Sequence, residues 1–181
     1  RCAVGTPSDR MTETLIVLRH ACAGDRQEWT VQEDARPLDA VGLAQALGLV
    51  EQLADVTIDR IWTSPSARCE QTVGPMAAIR RIPVVDQPWL AEDAAVPEIV
   101  DGVGRAPRGT LLCTHGGVAS RITTHLAPDR ELPELDKGAA WLVRLDAGRV
   151  VGIELREAPA TDVDAAGRGV AERSGLRAAV R

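Results

Sequence analysis

The run Leu15-Ile16-Val17-Leu18 is wholly apolar and stops abruptly at Arg19-His20. A continuous apolar run of this length, too short for a helix, predicts a buried strand over 14–18. The stretch Thr110-Leu111-Leu112-Cys113-Thr114 repeats the pattern and ends at His115-Gly116-Gly117, predicting a second buried strand over 110–114. Shorter strands are expected over 58–63 and 84–85. Between them, Leu43, Ala46, Leu47, Val50 and Leu53 follow helical spacing and predict a helix over 41–54. Ser64-Pro65 reads as the start of a second helix, serine capping and proline in the first turn, running to about residue 79. A third helix leads from Gly116-Gly117 to about residue 126. Two apolar stretches, 140–145 and 150–155, flank Asp146-Ala147-Gly148-Arg149 and predict a hairpin. Residues 21–39 show no period and read as a long loop, and 92–107 as a loop with one or two helical turns near 97–103.

Strands alternating with helices predict a three-layer α/β/α sandwich with a mostly parallel central sheet and a C-terminal hairpin. Ligands of such sheets bind outside the carboxyl ends of the strands, where Arg19-His20 and His115 both fall. The expected organisation is one domain over 13–156. A flexible extension (1–12) precedes it, and an Ala-, Gly-, Asp- and Arg-rich tail (157–181) with the composition of a mobile segment follows.

Composition narrows the function class. No apolar run approaches the ~20 residues of a membrane span and no signal-peptide layout is visible, so a cytoplasmic location and no membrane partner are expected. A net charge of −5 argues against nucleic acid as a partner. Phe and Tyr are absent, and the tryptophans (Trp29, Trp62, Trp89, Trp141) read as core or cleft-wall residues. Lys137 is the sole lysine; the other basic residues are arginines, whose planar guanidinium suits bidentate contact with phosphate. The four cysteines have no disulfide-framework spacing and read as reduced thiols.

The chemistry that fits two histidines and gathered arginines at one sheet edge is phosphoryl transfer. A neutral imidazole of His20 is a competent nucleophile toward phosphorus, provided a backbone carbonyl fixes its other ring nitrogen. Arg19 is the adjacent charge, Arg68 reaches the same edge from one turn inside a helix, and His115 adds a donor if protonated. Gly116-Gly117 permits close approach of backbone. Arg26 and Arg36 are further candidates for substrate binding, with ordinary surface charge as the competing reading. His125 reads as structural. A zinc site built from His20, Cys22, Cys113 and His115 is the competing chemistry, disfavoured because no CxxC knuckle is present.

Arg19-His20, Ser64-Pro65 through Arg68 with Gln71-Thr72, and Thr114-His115-Gly116-Gly117 together resemble the histidine phosphatase superfamily, the acid-phosphatase and phosphoglycerate-mutase clan. The segment Arg36-Pro37-Leu38-Asp39 with Gly42 is similar to a pattern of its short bacterial phosphohistidine phosphatases. The resemblance spans residues 14 to 155. It implies a phosphoglycerate mutase-like fold, His20 as phosphate acceptor, Arg19, Arg68 and His115 around the phosphate, and neither metal nor cofactor. Two departures stand out: Ala21 replaces the glycine that usually follows the histidine, and the proton donor matches Glu92 in Leu90-Ala91-Glu92, with Asp93 adjacent. Only about 23 residues separate Glu92 from His115, too few for the lid of the sugar-phosphate mutases, so an open site is expected. That site fits a phosphohistidine protein or a range of small phosphorylated molecules, while an acidic loop (Glu28, Glu33, Asp34) is expected to discourage polyanions. Mutase chemistry and a phosphate- or phosphoprotein-binding module without turnover are the remaining alternatives.

Overall fold

The computed structural model describes residues 13–161, so the expected extension 1–12 and the tail beyond 161 lie outside the described residues. At the centre of one six-stranded sheet, β1 (Glu13–Arg19) pairs parallel with β4 (Thr110–Thr114) and antiparallel with β5 (Ala140–Asp146). Beyond β4 lie β2 (Arg60–Thr63) and β3 (Val84–Asp86), both parallel; beyond β5 lies the antiparallel β6 (Arg149–Arg156). The order is β3-β2-β4-β1-β5-β6.

Alternation along β1 decides the layers. Ile16 and Leu18 join Leu49 and Leu53 beneath α1 (Ala40–Gln52), and Cys69, Val73 and Met76 beneath α2 (Ala67–Arg80). Leu15 and Val17 point the other way, into Ile99 and Val103 of α3 (Val96–Arg105) and Val118 and Ile122 of α4 (Gly116–Leu126). Both faces of the strand are therefore covered, which is why its sequence is an unbroken apolar run rather than an alternation. The three-layer α/β/α arrangement is as expected, and Ala147-Gly148, both at positive φ, close the β5–β6 hairpin as a two-residue turn.

Four local expectations change. The α1 stripe is displaced: Leu43 and Leu47 are exposed, whereas Gly42, Gln45, Ala46 and Leu49 face inward. Polar Gln45 earns burial by hydrogen bonding, accepting from the Cys22 N–H at 2.9 Å. The loop expected over 92–107 contains the ten-residue α3. Its Val96, Ile99, Val100 and Val103 have i, i+3, i+4, i+7 spacing, Pro97 sits in the first turn where its missing N–H costs nothing, and Gly102 lets Trp89 pack directly on the helix. The second helix begins at Ala67 rather than at Ser64-Pro65, because the Ser64 hydroxyl is committed elsewhere. Of the segment expected as a tail, residues 157–161 pack back on α1: the Gln52 amide donates to the Glu157 carbonyl, and Thr161 is buried.

Gly42 brings the start of α1 against the backbone that follows β1: a Cβ there would lie 1.8 Å from the Cys22 carbonyl oxygen. Gly42→Ala is expected to destabilise the fold by about 2 kcal/mol, measured by thermal unfolding. Gly104→Ala, on the same criterion unobstructed, is expected to be neutral or stabilising by up to about 1 kcal/mol. Equal effects at the two positions would contradict the packing account.

Candidate active site

Parallel pairing places Arg19 opposite Thr114, and the His20 N–H donates to the Thr114 carbonyl at 2.9 Å. The two residues that follow, His20 and His115, therefore emerge side by side, with ring centroids 5.3 Å apart and edges turned to faces. His20 Nδ1 donates to the Ala21 carbonyl at 2.8 Å, the backbone acceptor that the chemistry calls for. That bond leaves Nε2 as the nitrogen with a free lone pair. Burial is the main cause that lowers the His20 pKa to about 3; the Ala21 bond opposes it, and the nearby His115, Arg68 and Arg19 add to it. His20 is thus a neutral imidazole at neutral pH, as a nucleophile must be.

The backbone after His20 is held by a set of polar contacts. Thr72 Oγ1 accepts the Ala21 N–H at 3.0 Å and donates to the Arg68 carbonyl at 2.6 Å, so one hydroxyl ties α2 to the histidine. Gln71 accepts from the Leu38 N–H, and Asp39 caps α1 by accepting from Gly42 N–H. Arg36 is 7% exposed, and its Nη1 donates to the Ala23 and Gly24 carbonyls while Nε and Nη2 hold Glu33. Arg36, read from sequence as a candidate substrate contact or ordinary surface charge, borders the cavity and is a strut of the loop, with four of its five N–H groups engaged within it. The motifs around Gln71-Thr72 and Arg36-Asp39 thereby acquire a common task, fixing residues 21–24.

Arg68 is fully buried at the start of α2. Its Nη1 donates to the Glu33 carbonyl at 2.8 Å, and its Nη2 donates to Glu92 Oε2 at 3.0 Å and to His115 Nδ1 at 3.2 Å. Because a guanidinium only donates, His115 Nδ1 is the acceptor and Nε2–H donates to Ser64 Oγ at 2.9 Å. Sequence reasoning made His115 a further donor if protonated; in this arrangement both its ring nitrogens are engaged, by Arg68 and Ser64, and it orients Arg68. Arg19 spends Nη1 on Glu134 and the Leu135 carbonyl. The N–H groups at Nε of Arg19 and of Arg68 are buried without any hydrogen-bond partner. A buried orphan donor costs roughly 1–3 kcal/mol; among the described residues the other two buried unpartnered side-chain atoms, Gln52 Oε1 and Arg156 Nε, lie away from His20, so the pair at this edge is the one able to receive an anion beside the imidazole.

Gly116 was expected to bring backbone close to phosphate. The close approach found is that of side chains: a Cβ at Gly116 would lie 2.9 Å from Arg19 Cζ and 2.4 Å from Glu134 Oε1, so glycine makes room for Arg19. Arg26 is exposed at the mouth, bonded to Glu92 at 3.3 Å and near Glu33. Glu92, not Asp93, reaches into the site, gripping both Arg26 and Arg68. The Cys113 thiol donates to the Cys69 carbonyl, and among the described residues no group of three His, Cys, Asp or Glu could hold a metal ion. His125 lies on α4 away from this site, its side chain exposed.

His20, Arg19, Arg26 and Glu92 open onto a cavity of about 530 Å³, with Arg68 and His115 buried behind. A cavity of similar size at the opposite strand ends is walled by charges paired with one another, Arg156 with Asp55 and Arg108 with Glu13, and holds no nucleophile. Sequence reasoning missed Ser64, Glu33 and Thr72. Ser64 carried a usable signal, since it ends β2 at the same sheet edge as His20 and His115.

The model of the histidine phosphatase superfamily (branch 1) matches residues 15–97. The chain is 30% identical over 159 residues to the 8-oxo-(d)GTP phosphatase of Mycolicibacterium smegmatis, covering 82% of this chain and 49% of that protein. It thus spans about half the length of this relative. Among solved structures, the protein histidine phosphatase SixA complexed with tungstate aligns with a TM-score of 0.68 and 22% identity, over 81% of this chain and 97% of that one. The alpha-ribazole phosphatase from Shigella flexneri aligns with a TM-score of 0.62 and 17% identity, over 81% and 96%. These likenesses establish the shared fold.

The lowered pKa of His20 has a consequence for stability. The unfolded histidine binds its proton near pH 6.5 and the folded one only near pH 3. Between these values the unfolded chain holds more protons, so stability falls as pH is lowered through this window, by at most about 1.4 kcal/mol per pH unit from this group. His20→Asn is expected to flatten that decline in urea unfolding at pH 4 to 6.5. Parallel slopes for the two proteins would refute the burial of a neutral imidazole.

Proposed function

This chain belongs to the histidine phosphatase superfamily, branch 1, and from that premise we propose that it is a metal-independent phosphatase working through a phosphohistidine on His20. The observation that carries the reading is a neutral, carbonyl-anchored imidazole flanked by two buried arginine N–H groups with no partner. In the first step His20 Nε2 attacks phosphorus, an N–P bond forms, and the P–O or P–N bond to the leaving group breaks with its electron pair departing. Arg19 and Arg68 Nε–H donate to the equatorial oxygens, where charge must be stabilised. The incoming oxygens replace the Glu92 carboxylate on Arg68 Nη2, freeing Glu92 to donate a proton to leaving groups that need one. In the second step water, deprotonated by Glu92, attacks phosphorus; the N–P bond breaks and its electrons return to His20.

Two finer readings concern the substrate. A phosphohistidine side chain is supported by the open cavity, with no lid between Glu92 and His115 beyond the short α3, and by the likeness to SixA. A nucleotide phosphoanhydride is supported by the Mycolicibacterium relative and by a change in the charge argument. Within the acidic loop expected to repel polyanions, one of the three carboxylates is neutralised: Glu33 is held by Arg36, Arg26 and Arg68, which also keep its carboxyl below the usual range, the Arg36 bond being the main cause. That neutralisation favours the phosphoanhydride. Cys69 and Cys113, buried without a disulfide, support the cytoplasmic location.

Phosphate release from p-nitrophenyl phosphate, a phosphohistidine peptide, a sugar phosphate and nucleoside phosphates tests the reading. Arg68→Lys is expected to lower kcat by about 10²–10³-fold, the scale of a lost anion-stabilising donor, and His20→Ala to abolish turnover. Phosphate release undiminished in His20→Ala would overturn the mechanism.

A further inference from the structure

Lys137 is unusual in two ways. It is the only lysine of the chain, and its ammonium has no ion-pair or hydrogen-bond partner among the described residues, whereas Arg19, Arg26, Arg36 and Arg68 all grip carboxylates. Its backbone, by contrast, is fixed against the nucleophile. The N–H of Gly138 donates to both the Arg19 carbonyl (3.2 Å) and the His20 carbonyl (3.1 Å), and the Arg19 N–H donates to the Ala139 carbonyl at 3.0 Å. Gln45 clamps the other side, accepting from Cys22 N–H while its amide donates to the Lys137 carbonyl at 3.4 Å. The glycine is required: Gly138 has φ of +83°, and a Cβ there would press on Gln45 at 3.3 Å. A flexible cation on a rigid mount, one residue from a backbone bonded to His20, is well placed to meet a substrate.

The cavity above His20 is not the whole cleft. A second space of about 550 Å³ adjoins it, and Arg19, Cys22 and Lys137 line both. Beyond this shared wall the second space is bounded by Gln45, Asp136 and the Ala158–Pro159 backbone. Arg19 is ion-paired with Glu134 through Nη1, so among the described residues Lys137 is the cation at the junction without an ion pair, and Asp136 is the one carboxylate that lines the second space.

We propose that Lys137 binds the second phosphate of a phosphoanhydride substrate, the phosphate that stays with the leaving group, and thereby sets a preference for nucleoside diphosphates over simple monoesters. The inference rests on the His20 reading of the site and names its substrate class. The terminal phosphoryl group passes to His20 Nε2. The bridging P–O bond breaks with its electron pair remaining on the nucleoside monophosphate, whose new oxyanion Lys137 stabilises. An anhydride leaving group of this kind needs no added proton, so Glu92 serves only the water attack that releases inorganic phosphate. The nucleoside extends into the second space.

The experiment measures kcat/KM for ADP and for p-nitrophenyl phosphate in the wild-type chain, Lys137→Ala, Lys137→Arg and Lys137→Glu. Loss of the cation is expected to lower the ADP to p-nitrophenyl phosphate ratio about tenfold, chiefly through KM for ADP, the scale of one charged hydrogen bond. Lys137→Arg is expected to restore most of the ratio, and Lys137→Glu to lower it further. A ratio unchanged in Lys137→Ala, or hydrolysis of the ester with none of ADP by the wild-type chain, overturns the role of Lys137 while leaving His20 chemistry intact. Hydrolysis of neither substrate by the wild-type chain would overturn the reading of the site itself.

Discussion

The register of β1 against β4 determines everything at the sheet edge. Arg19 stands opposite Thr114 in a parallel pair, so the next residue on each strand is a histidine, and the two rings meet as the strands end. A slip of one residue would send every β1 side chain to the opposite layer, moving Ile16 and Leu18 out of contact with α1 and α2. The apolar core thus holds the catalytic geometry in place. Burial of both strand faces fixes the register, and the register fixes the distance between His20 and His115.

Around that pair the chain solves an electrostatic problem. Two arginines are drawn next to an imidazole that burial, above all, keeps neutral, their field adding to the effect. Their charge is compensated by carboxylates, Arg19 by Glu134 and Arg68 by Glu92 with more distant help from Glu33. One N–H of each guanidinium nevertheless remains unpaired inside the protein. Burying an N–H without a partner is costly, and two of the four buried unpartnered side-chain atoms among the described residues belong to the arginines beside His20. His115 and Ser64 act one step back, orienting Arg68 from behind.

How much of this was legible in the sequence depends on whether a residue's task is local. The strand over 14–18, the strand over 110–114 and the hairpin were readable because a doubly buried strand and a tight turn impose their patterns on consecutive residues. The histidines and Arg68 were readable because strand ends and a helix start fix their positions. Long-range hydrogen bonding was not readable. Arg36 read as a pocket-lining candidate or as surface charge, and neither reading foresaw its donors on the Ala23 and Gly24 carbonyls. Ser64 looked like a helix cap, although its partner is 51 residues away. The helix α3 was obscured by Pro97 and Gly102, one harmless in a first turn and the other required by Trp89. Glu33 looked repulsive because the arginines that neutralise it come from separate parts of the chain.

The central claim is that His20 carries the phosphoryl group. Rapid mixing with a radiolabelled phosphate ester, alkaline quenching and peptide mapping tests it most directly. The account predicts label on the His20 peptide, acid-labile as a phosphoramidate is, with occupancy that rises and decays at rates consistent with turnover. Turnover with no label on His20, and with burst and steady state explained by direct attack of water, would contradict it.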